Sequence, residues 1–410
     1  MPLESLAKLR WLLLIAAVAG WFYGLDQAQA RETQLDARAG LSGPGVIIGT
    51  TRFGSGALPP DSDPLTQRLD EAISAGLGGF TVYVDWPAVE PFPGEYDFAE
   101  LVDVLDGLHD RGLATFVNLT IGDVGDYVVP PEFSDGQGGL AEGLGLDDPE
   151  VFDRLAGLLS ALVPELLDRG VIALGLGNEM DDRLDGEFAD ELDGYVALVA
   201  AARSHLKGIA PGLQVGVTLT ATAHLNGSAT RRAMGEVADF VAVNYGPIDP
   251  FWFVLEPTQI QQQFGRLLDS FGNERIVIQE LTCPSAASMG ASQAWQAECF
   301  QILFDMLIVH PRVKFASVFT LEDFSGEMCE LIRGVFRDAL AGLPDDFLER
   351  FMDYLCAMGV LAADGTTKPA WEVLMNSAGS ANARRRWEAM RSQDQDAPSH
   401  RDLLRNRRQP

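Results

Sequence analysis

Short apolar runs alternate with longer stretches of helical periodicity from Gly45 to about Ala378. Several of these runs are almost wholly apolar, such as residues 171–176 and 240–243, which is typical of parallel strands buried on both faces. The pattern predicts eight strands, at residues 46–49, 80–85, 114–118, 172–177, 214–219, 240–244, 275–280 and 315–320.

Helical patterns follow the predicted strands. Residues 65–75 follow Asp63-Pro64 and residues 98–111 follow Asp97. Both are favourable helix starts, because Asp accepts hydrogen bonds from the first free amides and Pro suits the first turn. The other predicted helices are residues 149–169, 190–209, 229–237, 258–271, 291–310 and 344–358.

The alternation of strands and helices predicts an α/β fold, a (β/α)8 TIM barrel that forms one domain over residues 45–380. The alternative is a doubly wound open sheet, which usually carries a Gly-rich phosphate loop after its first strand. The segment Gly49-Thr-Thr-Arg-Phe-Gly54 does not have that form, so the barrel is favoured.

The composition narrows the classes of function. The chain has 59 Asp and Glu against 30 Lys and Arg, a net charge of −29, which argues against nucleic acid as a partner because phosphate contacts need a basic face. Hydrophobic residues make up 47% of the chain, which excludes global disorder. Only four of the basic residues are Lys, a bias that indicates a GC-rich bacterial source.

The first 30 residues read as a targeting segment. Lys8 and Arg10 precede an apolar run over residues 11–25, and Ala28-Gln29-Ala30 has the small-x-small pattern of a signal-peptidase site. The run is shorter than the roughly 20 residues that cross a membrane. We therefore expect a signal peptide at 1–30, a linker at 31–44 and a secreted or periplasmic protein. The alternative is an uncleaved N-terminal anchor, which is the one membrane contact we expect.

Four cysteines lie in the last third of the chain, at Cys283, Cys299, Cys329 and Cys356. An even number in an exported protein indicates disulfides, with three pairings open, and the alternative is four buried free thiols. The tail over residues 381–410 differs from the body, because from Arg384 onward it carries eight Arg and four acids. Its polar, basic composition predicts a disordered tail.

Two glutamates stand at the ends of predicted strands. Glu179 follows the fourth strand and Glu280 ends the seventh. In a (β/α)8 barrel the carboxyl ends of the strands surround one mouth, where the chemistry takes place. Two facing carboxyl groups are what glycoside cleavage needs, since one protonates the leaving oxygen and the other attacks or activates water.

Four parts of the sequence resemble a known group of enzymes. Asn178-Glu179 and Glu280 resemble the Asn-Glu and Glu of the retaining (β/α)8 glycosidases, glycoside hydrolase clan A. The segment from Trp86 to Phe98 is similar to the W-x-x-x-E-P-x-x-G-x-Y-x-F stretch of several families in that clan, and residues 359–371 resemble their closing G-L-x-x-x-D-G-x-x-K-P-A-W. The stretches around the two glutamates resemble endo-β-galactanase-like and related bacterial endo-glycosidases.

The resemblance implies roles for single residues. Glu179 would be the general acid/base and Glu280 the nucleophile, Asn178 would bind the sugar 2-hydroxyl, and Tyr245 would hydrogen-bond the nucleophile. The chain departs from the clan at the end of the eighth strand, where Phe319 stands in place of the usual Trp. This departure affects the floor of the subsite at the cleaved bond.

Other candidate sugar contacts come from their positions after predicted strands, and each competes with a structural role. Arg52 follows the first strand, where it would hold Glu280 ionised or lie on the surface. We also expect sugar contacts from Asp85 and Trp86 after the second strand, from Asn118 after the third and from His224 after the fifth. Trp86, Phe92 and Trp252 are expected to stack on sugar rings.

The sequence as a whole predicts an exported retaining glycoside hydrolase acting on a β-linked oligo- or polysaccharide. The alternative is a catalytically silent barrel that binds glycans at the cell envelope. We expect a monomer with a carbohydrate substrate and no cofactor, because Asp181 and Asp182 lack a matching set of metal ligands. The long segments 122–148 and 321–343 are expected to form subsite walls or a lid.

Overall fold

A computed structural model describes residues 40–52, 63–186, 188–339 and 344–396 of the chain. Eight parallel strands in this part of the chain form a closed ring, in the order β2-β1-β9-β8-β7-β6-β5-β3, and β2 pairs with β3 to complete it. The strands are β1 (Ile47–Thr51), β2 (Gly79–Asp85), β3 (Ala114–Asp123), β5 (Val171–Asn178), β6 (Gln214–Thr220), β7 (Phe240–Tyr245), β8 (Ile276–Leu281) and β9 (Val313–Val318). A short strand, β4 (Asp126–Tyr127), folds back antiparallel on the end of β3.

Helices surround the ring, and each of the eight predicted strands and helices is present within a few residues of its predicted bounds. The helices are α1 (Pro64–Ala75), α2 (Trp86–Val89), α3 (Ala99–Asp110), α4 (Pro149–Leu167), α5 (Asp181–Leu184), α6 (Leu192–Ile209), α7 (Ala221–Asn226), α8 (Ala229–Val237), α9 (Pro257–Ser270), α10 (Gln293–Val309), α11 (Gly326–Ala339), α12 (Asp345–Cys356) and α13 (Pro369–Asp396). The (β/α)8 prediction is therefore confirmed.

The lower half of the barrel interior is filled by its own core. Phe116, Phe240 and Phe315 pack together there, with ring centroids about 6 Å apart. Leu41, in a short 3-10 helix before β1, belongs to the same buried cluster. Alternate residues of each strand face outward and form the larger core under the helices. The interior is thus filled with apolar side chains at the amino-terminal ends of the strands.

The eighth helix of the ring is not the predicted one. Residues 344–358 were expected to fill this position, but α11 and α12 both belong to the connection after β9, where α12 packs on α11 and on the loop that follows β8. The helix that completes the ring is α13, which packs on α10, α1 and β1. Alternation along the sequence predicts that a helix follows β9, but it does not say which of three helices packs on the barrel.

The prediction of a disordered tail from residue 381 is also wrong for residues 381–396, which continue α13. Leu374, Ala378, Ala381 and Arg385 are all buried, at spacings of four, three and four residues, which is one face of a helix. Arg385 donates from Nε to the carbonyl oxygen of Pro44 and covers the start of β1. The many charged residues of this segment obscured, in the sequence pattern, the buried face of the helix. The predicted signal peptide and the remaining tail lie outside the described residues.

The four cysteines form two disulfides, Cys283–Cys299 and Cys329–Cys356, so the alternative of free thiols is wrong. The first joins the segment after β8 to α10, and the second joins α11 to the end of α12. In the part of the chain that the structure describes, the helices are all too short or too polar to cross a bilayer.

Candidate active site

Glu179 comes directly after β5, in a backbone conformation that ordinary residues rarely adopt. Its φ is +52°, and its amide donates to the carbonyl of Thr218 on β6 at 2.8 Å. The preceding Gly177 has φ +90°, and a Cβ there would lie 2.7 Å from the hydroxyl of Tyr195. Glycine thus permits an irregular end to β5, which turns the Glu179 carboxyl into the barrel mouth, where its Oε1 accepts a hydrogen bond from Asn244 Nδ2 at 2.9 Å.

Glu280 lies on β8 and faces β2 across the barrel. Its Oε1 accepts a hydrogen bond of 2.7 Å from the hydroxyl of Tyr83. The pairing of β8 with β9 shifts register between Ile278 and Leu281, so that Gln279 and Glu280 both contact residues of the interior. Register shifts of this kind re-aim side chains near active sites, and here the shift adds a second polar group to the mouth.

The two carboxyl groups differ in how strongly they hold a proton. Burial raises the pKa of Glu280 to about 7, although the hydrogen bond from Tyr83 opposes the rise. Burial and the negative charge of Glu280 raise the pKa of Glu179 well above its usual range. Glu280 therefore ionises first, and its charge keeps Glu179 protonated. This division into one acid and one carboxylate is the one that retaining glycosidases require.

Buried amides form a polar layer beneath the two glutamates. Asn178 Oδ1 accepts hydrogen bonds from Asn244 Nδ2 at 3.0 Å and from Gln279 Nε2 at 2.9 Å, and its own Nδ2 donates to Asp123 Oδ1 at 2.9 Å. Asn118 is fully buried below this layer and donates to Gln279 Oε1 at 2.6 Å. The prediction that Asn118 contacts sugar is therefore wrong, whereas Asn178 lies beside Glu179 as expected.

Tyr245 does not reach Glu280. Its side chain is 2% exposed, its hydroxyl donates to Gln263 of α9 at 3.0 Å, and its ring packs on Phe264. Successive side chains of a strand point to opposite faces, so the inward position of Asn244 places its neighbour Tyr245 among the helices. The predicted partner of the nucleophile is thus the wrong tyrosine, and Tyr83 of β2 makes the contact instead.

Two more predicted sugar contacts are structural. Trp86 is fully buried, and its Nε1 donates to Glu90 Oε2 at 2.6 Å within the core. His224 is buried against the ring of Phe271 at 4.4 Å, and its Nδ1 accepts a hydrogen bond from Arg231. Burial and the charge of Arg231 lower the pKa of His224 to about 3, so it stays neutral. Neither residue faces the mouth, because each packs between a strand and a helix.

Arg52 and Phe319 both lie near the mouth. Arg52 forms an ion pair with Glu322 at 2.5 Å, rather than the predicted pair with Glu280. Phe319 packs edge-on against Tyr83, with ring centroids 6.4 Å apart, and is joined to Thr320 by a cis peptide bond. Phe319 thus lies beside Tyr83, the residue that donates to Glu280.

The helices after β9 bring a further aromatic residue to the site. The hydroxyl of Tyr354 on α12 lies 2.5 Å from Oγ1 of Thr282, two residues after Glu280. Burial, together with the negative charges of Glu280 and Glu179, raises the pKa of Tyr354. The ring of Trp252 packs on Tyr354 and Phe351 at 5.0 and 4.9 Å. Tyr354 thus lies on the predicted helix 344–358, just beyond the segment 321–343 that was expected to form a wall, and this helix flanks the two carboxyl groups.

Four residues of the site were missed from sequence, namely Tyr83, Asn244, Gln279 and Tyr354. A signal for Tyr83 existed, because Thr81, Tyr83 and Asp85 alternate with Val82 and Val84, and this period of two marks the inner face of β2. Asn244 has the same signal on β7, where Phe240 and Ala242 also face inward. Nothing in the local sequence predicts Tyr354, which reaches the site from an inserted helix.

No metal site accompanies these residues in the described ranges, where no group of three or more His, Cys, Asp and Glu side chains is arranged to hold an ion. The arrangement offers a protonated carboxyl, an ionisable carboxyl and a set of hydrogen-bond donors and acceptors at the mouth of the barrel. Such a set suits acid–base and nucleophilic chemistry on a polar, hydroxyl-bearing molecule.

The fold is similar to solved glycosidase structures, although no protein-family model and no curated protein matches the sequence. GH5_18 from Streptomyces cattleya, in complex with GlcNAc, has a TM-score of 0.60 and 17% identity, covering 84% of this chain and 81% of that one. An exo-β-1,4-mannosidase from Opitutaceae bacterium strain TAV5 has a TM-score of 0.60 and 17% identity, covering 83% and 60%. A GH5_18 variant from Bifidobacterium longum subsp. longum ATCC 55813, in complex with Manβ1-4GlcNAc, has a TM-score of 0.60 and 14% identity, and the match covers 83% of this chain and 78% of that one. At these identities the likeness establishes the fold, a (β/α)8 barrel shared with these glycosidases.

Proposed function

We propose that this chain is a retaining glycoside hydrolase that cleaves a β-linked oligo- or polysaccharide. The observation that carries the proposal is the pair of buried glutamates at the barrel mouth, where Asn244 donates to Glu179 and Tyr83 donates to Glu280. Burial raises the pKa of both carboxyl groups, and the charge of Glu280 adds to the rise at Glu179. The general fold is shared with enzymes of many activities, so the argument rests on this pair and its partners.

In the first step the Glu280 carboxylate attacks the anomeric carbon and forms an ester with the sugar. Glu179 gives its proton to the glycosidic oxygen, so that the leaving group departs as a neutral alcohol. In the second step Glu179, now ionised, takes a proton from water. The water oxygen attacks the anomeric carbon, the ester bond to Glu280 breaks, and the sugar leaves with its original configuration.

The surroundings of the pair suit this reaction. The transition states resemble an oxocarbenium ion, whose positive charge is stabilised by nearby carboxylates. Asp123 supplies such a group, because its charge acts on Glu280 while its Oδ1 accepts a hydrogen bond from Asn178. The Asn178 side chain lies next to Glu179, where it would contact the sugar 2-hydroxyl.

Two features support a choice of substrate class, namely the aromatic residues of the rim and the structural neighbours. Phe92 and Phe251, on connections that follow β2 and β7, are each 64% exposed and offer flat apolar faces to sugar rings. Two neighbours have names or ligands that contain β-1,4-linked mannose. We therefore place β-mannosides and β-mannan first among the substrates to test, before glucan, xylan and galactan.

The cellular place of the protein is part of the proposal. Disulfides persist in oxidising compartments, and the two disulfides of this chain favour an extracellular or periplasmic location. The predicted signal peptide would deliver the protein there, and a polymeric glycan outside the cell would be its substrate.

Hydrolysis of aryl β-glycosides and dyed β-glycans, followed by NMR of the first anomer released, tests the proposal directly. We expect turnover of at least one β-linked substrate with retention, abolished in Glu280→Ala and kept in Glu298→Gln, a control on the exposed face of α10. Release of the inverted anomer would contradict the double displacement. Binding of glycans without turnover would favour the alternative of a silent glycan-binding barrel.

A further inference from the structure

Gln279 lies between the two halves of the catalytic site. It precedes Glu280 on β8 and is fully buried, so its amide does not hydrogen-bond to bulk water. A buried amide needs partners for its oxygen and for both of its hydrogens. Its partners include Asn178, which precedes Glu179, and Tyr83, which donates to Glu280.

Two donors fix the oxygen of the Gln279 amide. Asn118 Nδ2 donates to Oε1 at 2.6 Å, and Thr218 Oγ1 donates to it at 2.5 Å. Both residues lie on barrel strands, β3 and β6, so the oxygen is held by rigid elements. Because the two groups of an amide lie in one plane, fixing the oxygen also fixes the directions of the two N–H bonds.

The Nε2 hydrogens of Gln279 point to one support of each glutamate. One hydrogen is donated to Asn178 Oδ1 at 2.9 Å. The same Asn178 oxygen also accepts a hydrogen bond from Asn244 Nδ2, which donates to Glu179 as well. The other Nε2 contact is longer, 3.5 Å to the hydroxyl oxygen of Tyr83. A hydroxyl that accepts from Gln279 keeps its single proton for another partner, and that proton is donated to Glu280 at 2.7 Å.

We infer that Gln279 is a positioning residue that orients the Tyr83 hydroxyl toward Glu280 and holds Asn178 beside Glu179. Burial raises the pKa of both Tyr83 and Glu280, and the hydrogen bond of the Gln279 amide opposes the rise in each, which agrees with a donor that supports negative charge on this side of the site. The inference rests on the proposed function for its kinetic consequences, but its effect on Glu280 is a property of the folded protein alone.

The substitutions Gln279→Leu and Gln279→Glu separate orientation from space filling. Leucine removes the contacts to Asn178 and Tyr83, and we expect kcat to fall about 10²-fold, the effect of a displacement near 1 Å. Glutamate keeps the shape but accepts the Tyr83 proton and adds a negative charge, so we expect the pKa of Glu280 to rise by about one unit or more. The matched control is Gln296→Leu, since Gln296 is also fully buried but donates to backbone carbonyls around Cys283 and Gly359.

The inference is tested by kcat and by the pKa of Glu280, and the second measurement needs no substrate. NMR titration of the chain labelled with 13C at the Glu side-chain carboxyls, with the Glu280 signal assigned by Glu280→Gln, measures the pKa without any substrate. We expect Gln279→Leu to raise this pKa, and to raise it less in a Tyr83→Phe background than in the wild type. An equal rise in both backgrounds, or the same rise in Gln296→Leu, would overturn the inference. If no substrate is found, the proposed function fails while the titration still decides the role of Gln279.

Discussion

At the scale of single residues, the contacts of Glu280 set the pH range in which the site works. In the proposed mechanism the active form has Glu280 ionised and Glu179 protonated, so activity should rise as pH passes the lower apparent pKa of the pair and fall above the higher one. Since burial raises the pKa of Glu280 to about 7, we expect the acidic limb of kcat/KM near neutral pH. The measurement is a pH profile of kcat/KM with an aryl glycoside.

Tyr83→Phe provides the control for this profile. It removes the hydrogen bond that lowers the pKa of Glu280, and it leaves the ring in contact with Phe319. The acidic limb should therefore move to higher pH, while Tyr245→Phe, whose hydroxyl bonds Gln263 outside the barrel, should leave it in place. A shift of the limb in Tyr245→Phe but not in Tyr83→Phe would contradict the assignment.

The dependence of the rate on the leaving group distinguishes the proposed acid, Glu179, from the proposed nucleophile, Glu280. Glu179→Ala removes the proton donor, so hydrolysis should slow by about 10²–10⁴-fold for substrates with poor leaving groups. Substrates with activated leaving groups need little protonation, so their first step should keep most of its rate, and azide should restore turnover by attacking the glycosyl–enzyme. Steady-state rates across aryl glycosides of graded leaving-group pKa provide the measurement. Equal losses across the series would count against Glu179 as the acid.

The residues predicted from sequence are those whose position along the chain determines their place in the barrel. Glu179, Asn178 and Glu280 follow apolar strands, and strand ends meet at one mouth. Tyr245 was misplaced because the side of a strand that a residue faces depends on register, and a shift of one residue reverses it. Asn118 was misread for a related reason, since it faces the interior but lies too deep to touch a ligand.

At the scale of elements, the part of the chain after β9 departs most from expectation. A helix was predicted after this strand, and the structure has α11, α12 and α13. Only tertiary contacts distinguish the helix that closes the ring from the pair that flanks the active site. The disulfide Cys329–Cys356 joins the two helices of the pair, and Tyr354 of the second helix contacts Thr282, two residues after Glu280.

The last helix gives a test at this scale. Arg385 is 7% exposed and its Nε donates to the Pro44 carbonyl, so Arg385→Ala should leave that acceptor without its donor and open space beside β1. We expect a loss of about 1–3 kcal/mol in the free energy of unfolding, measured with urea. Arg384→Ala is the control, because Arg384 is partly exposed and forms an ion pair with Glu388 on its own helix, so its loss should change stability by less than about 0.5 kcal/mol. Similar small effects of both changes would mean that residues 381–396 do not pack on the barrel in solution.

At the scale of the whole molecule, the excess of acids acts mainly through the few that are buried. Most of the 59 carboxylic residues can be solvated at the surface, where ionisation costs little. Burial raises the pKa of Asp181 to about 6 and that of Glu280 to about 7, and Glu179 is raised further. The native state therefore retains protons at pH values where the unfolded chain, with ordinary carboxyl pKa values near 4, has lost them.

This difference in proton binding has a defined sign. Because the native state binds more protons, the free energy of unfolding should fall as pH rises from about 5, by about 1.4 kcal/mol per unit for each such group, up to about pH 6 for Asp181 and about pH 7 for Glu280. Asp239 acts in the opposite direction, since Lys207 and a backbone amide lower its pKa, but its contribution is lost only in more acidic solution. Urea unfolding at several pH values measures the slope. In Glu280→Gln the amide does not titrate, and the slope should be smaller. A slope unchanged by this substitution would mean that Glu280 ionises in the native protein as it does in the unfolded chain.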